Sequence, residues 1–213
     1  MFEYPKINTL WKRDNATHQV IVGDYSCPEF GAIEKWNVTE KVDGTNIRIS
    51  FRPKELEQIK ILGRTDNAQL HPKLLEHLLS TFTSERLSRL EPETEVILFG
   101  EGFGGKIQGG GRYRKEPSFT LFDVWIDGWW LEFFNVMDIA QKLGISHVPY
   151  LGELTRLQAI DIVALRRKSR IAADPTLIME GVVATSRPMM LFRNGGVPIR
   201  WKLKVRDLPH AGD

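Results

Sequence analysis

The sequence predicts an α+β fold built on antiparallel sheets with flanking helices. Three observations carry that prediction. Short runs rich in Val, Ile and aromatic residues dominate the chain. Helical periodicity is confined to three segments. Turn signals, rather than regularly spaced crossover helices, separate most of the strands, which argues against a doubly wound parallel sheet.

The elements follow in order. His18 to Val22, Trp36 to Lys41, Asn46 to Phe51 and Gln58 to Arg64 read as strands, with Asp43-Gly44 as a hairpin signal between the second and third. Pro72 to Leu90 reads as a helix, with Pro72 in its first turn and Leu74, Leu75, Leu78, Leu79, Phe82 and Leu87 near one stripe. Glu95 to Glu101 and Phe119 to Ile126 are strands. Asp127-Gly128 then turns the chain into a return strand, Trp129 to Phe134. Asn135 is placed to cap a helix over Val136 to Leu143 that Gly144 ends, and Thr155 to cap another from Arg156 to about Lys168. In that second helix Leu157, Ile160, Val163 and Ala164 share a face. Leu177 to Thr185 and Pro198 to Val205 are the last strands. No stretch reads as a linker, so residues 1–213 are expected to form one domain.

Bulk properties narrow the function. The chain has 213 residues, 42% of them apolar and 26% charged, an ordinary globular composition. Lys plus Arg number 29 and Asp plus Glu 27, for a net charge of +2, so a nucleic-acid site must be a local patch rather than bulk charge. A single cysteine, Cys27, excludes an internal disulfide and a cysteine-based zinc site, and the five histidines have no metal-ligand spacing. No apolar run reaches membrane-spanning length, and Met1 to Arg13 lacks a signal-peptide core, so a cytoplasmic protein, or one in host cytoplasm if viral, is expected.

Glu40-Lys41-Val42-Asp43-Gly44-Thr45-Asn46 is the most informative segment. Its plain reading is a hairpin with a charged tip. Its chemical reading makes Lys41 a nucleophile. A lysine amine attacks only when unprotonated, and with an ordinary value near 10.4 only about one in a thousand is neutral near pH 7, a cost of about 4 kcal/mol. Neighbouring cations, a metal or desolvation have to offset that cost.

Lys41-Val42-Asp43-Gly44-Thr45-Asn46 resembles motif I of the covalent nucleotidyltransferases, which comprise the ATP-dependent DNA and RNA ligases and the GTP-dependent capping enzymes. Four further segments resemble that family's motifs in the family's order. They are Phe99-Gly100-Glu101-Gly102, Phe119 to Val124, Met179 to Val183 and Arg200-Trp201-Lys202-Leu203-Lys204. Gly63-Arg64-Thr65 resembles an intermediate motif. Asn46 closing motif I favours the RNA ligase 2-like branch. The resemblance implies a nucleotidyltransferase (adenylation) domain. It also implies an ATP-dependent RNA ligase that joins 5′-phosphate and 3′-hydroxyl ends through lysyl-AMP.

The resemblance also assigns roles. Lys41 is the nucleophile, and Lys202 and Lys204 neutralise the α-phosphate. Glu101 and Glu180 hold Mg²⁺ or Mn²⁺, with Glu101 also near the ribose. Phe122 stacks on the base, Asn46 and Arg64 bind phosphate or an acceptor end, and Glu40 reads adenine and so favours ATP over GTP. The partners are RNA ends, with DNA or an RNA/DNA hybrid as alternatives. The chain runs only nine residues past Lys204, so no separate C-terminal OB-fold or helical domain is expected, which leaves a partner chain as one source for such a module. Competing readings are a DNA ligase, a GTP-using capping core and an inactive nucleic-acid-binding relative.

Three features lie outside those motifs. Gly102 to Gly111 followed by Arg112-Tyr113-Arg114-Lys115 reads either as a mobile surface loop or as a clamp on an RNA backbone, with Tyr113 stacking on a base. Arg166 to Arg170 reads as a solvated helix end. Adjacent Trp129 and Trp130 must point to opposite faces, one toward the core and one toward solvent.

Overall fold

The computed structural model describes residues 2–52, 58–90 and 94–208. Its elements in chain order are β1 (Asn8–Thr9), β2 (Trp11–Arg13), β3 (Val20–Tyr25), α1 (Glu29–Ala32), β4 (Lys35–Lys41), β5 (Thr45–Phe51), β6 (Lys60–Leu62), α2 (Pro72–Thr81), α3 (Ser84–Leu87), β7 (Val96–Phe103), β8 (Ser118–Ile126), β9 (Trp129–Trp130), α4 (Phe133–Leu143), β10 (Tyr150–Thr155), α5 (Arg156–Ala164), β11 (Gly181–Ser186) and β12 (Arg200–Lys204). The α+β class with antiparallel sheets is as the sequence predicts. The chain forms two compact units. Among the described residues no helix is long and apolar enough to cross a membrane.

The first unit holds Asp43–Val148 with residues 2–4 and 172–174. Its sheet runs β6-β5-β7-β8-β9, every neighbour antiparallel. Alternation puts Ile47, Ile49, Phe51, Val96, Leu98, Leu121 and Val124 in one core, which α2 and α4 cover with Leu74, Leu78, Val136, Ala140 and Leu143. A bulge between Phe99 and Gly100 lets β7 meet Leu121 and Asp123 in successive pairs, skipping Phe122. Gly100 is required there, since a Cβ would lie 2.1 Å from the Phe119 ring and 2.6 Å from the Thr120 carbonyl oxygen.

The second unit holds Pro5–Val42, Pro149–Ile171 and residues 175–208. Its sheet runs β1-β12-β11-β4-β10, with only the short β1 edge parallel to its neighbour, and β2 and β3 form a separate ribbon. Trp36, Val38, Val182, Ala184, Trp201 and Leu203 line its core with Ala159 and Val163 of α5. Thr155 and Gln158 close a reciprocal capping box at the start of α5.

Several boundaries differ from expectation. Asp43-Gly44 is not a hairpin turn, because β4 and β5 belong to different sheets and neither pairs with the other. The helix expected over Pro72 to Leu90 breaks at Phe82, and Thr83 recaps it by accepting the Arg86 N–H, which satisfies one orphan donor of a new first turn. Leu75 and Leu79 fall outside the buried stripe and are exposed. The return strand ends at Trp130, and Glu132, not Asn135, is the N-cap of α4; Gly144 takes the left-handed C-cap at φ 61° as expected. α5 ends at Ala164 rather than near Lys168, and its Leu157 is exposed. The strand expected from Leu177 begins at Gly181. Trp129 is 74% exposed while Trp130 stacks on Phe99, as their adjacency requires.

Candidate active site

In the second unit, β11 lies between β4 and β12 and sets the site. Gly181 pairs with Lys41 on one side and with Lys204 on the other. Both lysines therefore end their strands in one cross-strand row, and Glu180 precedes that row by one residue. The Glu180 carboxylate takes a lysine on each oxygen. Lys41 Nζ lies 2.6 Å from Oε2 and Lys204 Nζ lies 2.5 Å from Oε1. A Cβ on Gly181 would lie 2.1 Å from the Leu203 carbonyl oxygen, so glycine permits the close approach of β11 and β12. Lys202 shares the lysine face two residues along β12, opposite Val183.

Two braces hold this row. The Val205 N–H donates to the Glu180 carbonyl at 2.9 Å. The Lys204 N–H donates to Asp207 Oδ2 at 3.0 Å, and Arg13 reaches Asp207 Oδ1 at 2.7 Å. Sequence reasoning missed Arg13 and Asp207, which lie far apart in the chain.

Glu40 alternates with Lys41 and so points to the opposite face of β4. It is 1% exposed, and its carboxylate accepts the Ser169 hydroxyl at 2.5 Å and the Arg170 N–H at 2.7 Å. Burial pushes its pKa above the ordinary glutamate value, against the lowering effect of those hydrogen bonds and of the Arg170 charge. The side chain expected to read adenine thus anchors the turn at Ser169 and Arg170, away from the lysine face.

The remaining expected residues lie in the first unit. Asn46 pairs with Glu101 across β5 and β7, and Asn46 Oδ1 is buried with no hydrogen-bond partner among the described residues. A Cβ on Gly44 would lie 2.2 Å from the Gly102 carbonyl oxygen and 3.1 Å from Glu101 Cγ, so the motif I turn lies directly on the end of β7. Phe122 is half-buried with its ring edge-on to Tyr4 at 5.0 Å, and the Tyr4 hydroxyl donates to Asp123. Arg64 is exposed on a loop that Arg48 holds.

Arg48 is a second residue that sequence reasoning missed. It is 0% exposed, on the sheet face opposite the core. Its guanidinium donates to the Gly63 carbonyl at 2.7 Å, the Phe2 carbonyl at 3.0 Å and Asp66 Oδ1 at 2.8 Å. One side chain thereby ties the Arg64 loop and the N-terminal arm to β5. An Arg between two isoleucines on a strand was the available signal, since alternation sends it to a single face. Tyr113 is also buried. Its hydroxyl accepts the Asp43 N–H at 3.3 Å, so it does not stack on a base from the surface.

No group of three or more His, Cys, Asp or Glu suited to a metal occurs among the described residues. The two expected metal carboxylates fall in different units, Glu180 in the second and Glu101 in the first. Glu180 carries an ammonium on each oxygen, so a cation there would have to displace Lys41 or Lys204.

Comparison with known proteins identifies the family and the fold. The RNA ligase family matches residues 34–204. Solved structures of the Naegleria gruberi RNA ligase are similar. A lysine-to-alanine variant with ATP and Mn aligns at TM-score 0.66 and 20% identity over 95% of this chain and 61% of that one. The same enzyme with PPi aligns at TM-score 0.63 and 21% identity over 81% and 50%. A lysine-to-methionine variant with AMP and Mn aligns at TM-score 0.62 and 21% identity over 84% and 52%. The chain spans about half to three-fifths of the length of these structures. No curated protein sequence matches it significantly.

Proposed function

The chain belongs to the RNA ligase family, and from that premise we propose that it is an ATP-dependent RNA ligase whose nucleophile is Lys41. The observation that carries the reading is the row Lys41–Glu180–Lys204, one carboxylate bridging two lysines at strand ends. A lone lysine at a strand end has many explanations. A lysine paired to a carboxylate that a second lysine also grips is an arrangement for handling phosphate charge.

In the first step the Lys41 amine attacks the α-phosphorus of ATP. The P–N bond forms, the bond from the α-phosphorus to the bridging oxygen breaks, pyrophosphate leaves and the amine gives up a proton. Before attack, the Lys41 ammonium must part from Glu180 and lose its proton. Lys204 compensates Glu180 when it does, and Lys202 and Lys204 present positive charge to the non-bridging phosphate oxygens. The AMP then passes to a 5′-phosphate, and a 3′-hydroxyl displaces it to join the ends. In the first unit, Phe122 stacks on the base while Asn46 and Arg64 take phosphate or the acceptor end. Mg²⁺ or Mn²⁺, for which Glu180 of the second unit and Glu101 of the first are the carboxylates expected from the sequence, would supply further charge neutralisation. Glu40 supports the site from behind by holding the turn at Ser169 and Arg170.

The test is incubation with divalent metal and α-phosphate-labelled ATP or GTP, followed by a denaturing gel. ATP should label the protein covalently, pyrophosphate should reverse the label, and Lys41→Ala should lower it at least 10³-fold, to background. Label retained in Lys41→Ala would remove Lys41 as nucleophile. Label from GTP alone would move the chain to capping chemistry.

A further inference from the structure

The segment joining β7 to β8 supplies none of the expected nucleotide contacts, yet it is braced by its own backbone and by buried side chains. Phe103, Ile107 and Tyr113 are buried beneath it. Its backbone bonds to itself. The Gly105 N–H donates to the Arg114 carbonyl at 3.0 Å, Gly110 to Ile107 at 2.8 Å and Tyr113 to Gly110 at 2.9 Å. Its glycines sit where side chains do not fit. A Cβ would lie 2.1 Å from the Glu116 carbonyl oxygen at Gly104, 2.1 Å from Asp43 Oδ2 at Gly109 and 2.5 Å from the Gly104 nitrogen at Gly110. Through Gly109 and the Tyr113 hydroxyl the segment is seated on Asp43, two residues past the nucleophile.

On this frame Lys106, Arg112 and Lys115 are exposed, and none forms an ion pair among the described residues. Arg114 beside them donates to Ser118 Oγ at 2.8 Å. Some other exposed cations are neutralised locally, as in Lys12 with Asp24 and Lys142 with Asp138, so what marks this loop is three unpaired cations gathered on one braced segment. Unpaired cations on a pre-ordered loop suit a polyanion, because little ordering cost is left for binding and each phosphate contact releases a counterion.

Resting on the reading that this chain acts on RNA, we propose that residues 104–115 form a platform for the RNA sugar-phosphate backbone, with Lys106, Arg112 and Lys115 as its phosphate contacts and Tyr113 fixing it to the motif I turn. Such contacts set register and carry no sequence preference.

The test measures binding of a labelled 5′-phosphorylated single-stranded RNA of about two helical turns' length (~20 nucleotides) across a KCl series. K106Q/R112Q/K115Q should flatten the slope of log affinity against log salt by about 2, at roughly 0.7 per contact, and weaken binding about tenfold or more at low salt. The charge-matched triple K12Q/K142Q/R193Q should keep the wild-type slope. Equal loss in both triples would mean bulk charge alone binds RNA, and an unchanged slope in the first would mean the platform does not touch it. Either result overturns the proposal. Wild-type labelling by ATP is read in parallel: its absence counts against the ligase reading, whereas the salt slopes judge the platform.

Discussion

The outward faces of the two sheets solve the same problem in opposite ways. In the second unit, the face bearing Lys41, Lys202 and Lys204 keeps its charges partly solvated and pairs them through Glu180. In the first unit, the face opposite the core is closed over β5 and β7 by Phe2, Tyr4, Phe99 and Trp130, with the Arg48 guanidinium sealed inside it. One face is arranged to exchange partners and the other to keep them. A carboxylate shared by two ammonium groups can release one and stay compensated. A buried guanidinium bonded to Gly63, Phe2 and Asp66 cannot release them cheaply.

That contrast is open to direct attack, and the largest effect on stability is expected at Arg48. Arg48→Met should destabilise the chain by about 2–4 kcal/mol in urea unfolding, because it strands the Gly63 and Phe2 carbonyls without donors. Arg48→Lys should recover only part of that loss, since an ammonium lacks the planar fork. Full recovery by Lys would show that charge alone, not geometry, holds the Arg64 loop.

Lys204→Ala probes the exchanging face. It should lower the rate of lysyl-AMP formation by about 10²-fold with a smaller effect on the unfolding midpoint than Arg48→Met, because Glu180 keeps Lys41 as a counter-ion when Lys204 is removed. A large loss of stability with normal labelling would reverse the assignment of the two faces.

Tyr113→Phe removes one acceptor from the Asp43 N–H and should cost about 1 kcal/mol. If the Tyr113 hydroxyl orients the motif I turn, labelling by ATP should slow several-fold with little change in KM. An equal rise in KM would point instead to a binding role.

The smallest effect concerns Glu40 and pH. Its pKa is raised in the folded chain, so the folded state holds more protons than the unfolded one above the ordinary glutamate range. Stability must therefore fall as pH rises from that range through the raised value, and be flat beyond it. Glu40→Gln has no proton to lose there, so its unfolding free energy, measured from pH 4 to 8, should lack that fall. An identical pH dependence in both proteins would place the titration elsewhere.

The sequence alone determined the class of fold, the order of the motifs and the pairing of Lys202 with Lys204, because alternation along a strand is a local rule that needs no partner. The same rule puts Glu40 and Lys41 on opposite faces of β4. Tertiary structure decided the rest. Asp43-Gly44 has the composition of a hairpin, yet β4 and β5 join different sheets, because which strand pairs with which depends on the whole chain's packing rather than on two turn residues. Glu180 could be recognised as a carboxylate beside a strand, but only the register of β11 between β4 and β12 puts it between two lysines. Arg48, Arg13, Asp207 and Tyr113 were illegible for one physical reason. Each acts through a backbone group or a carboxylate distant in sequence, and a hydrogen bond of that kind exists only once the chain has brought its two ends together.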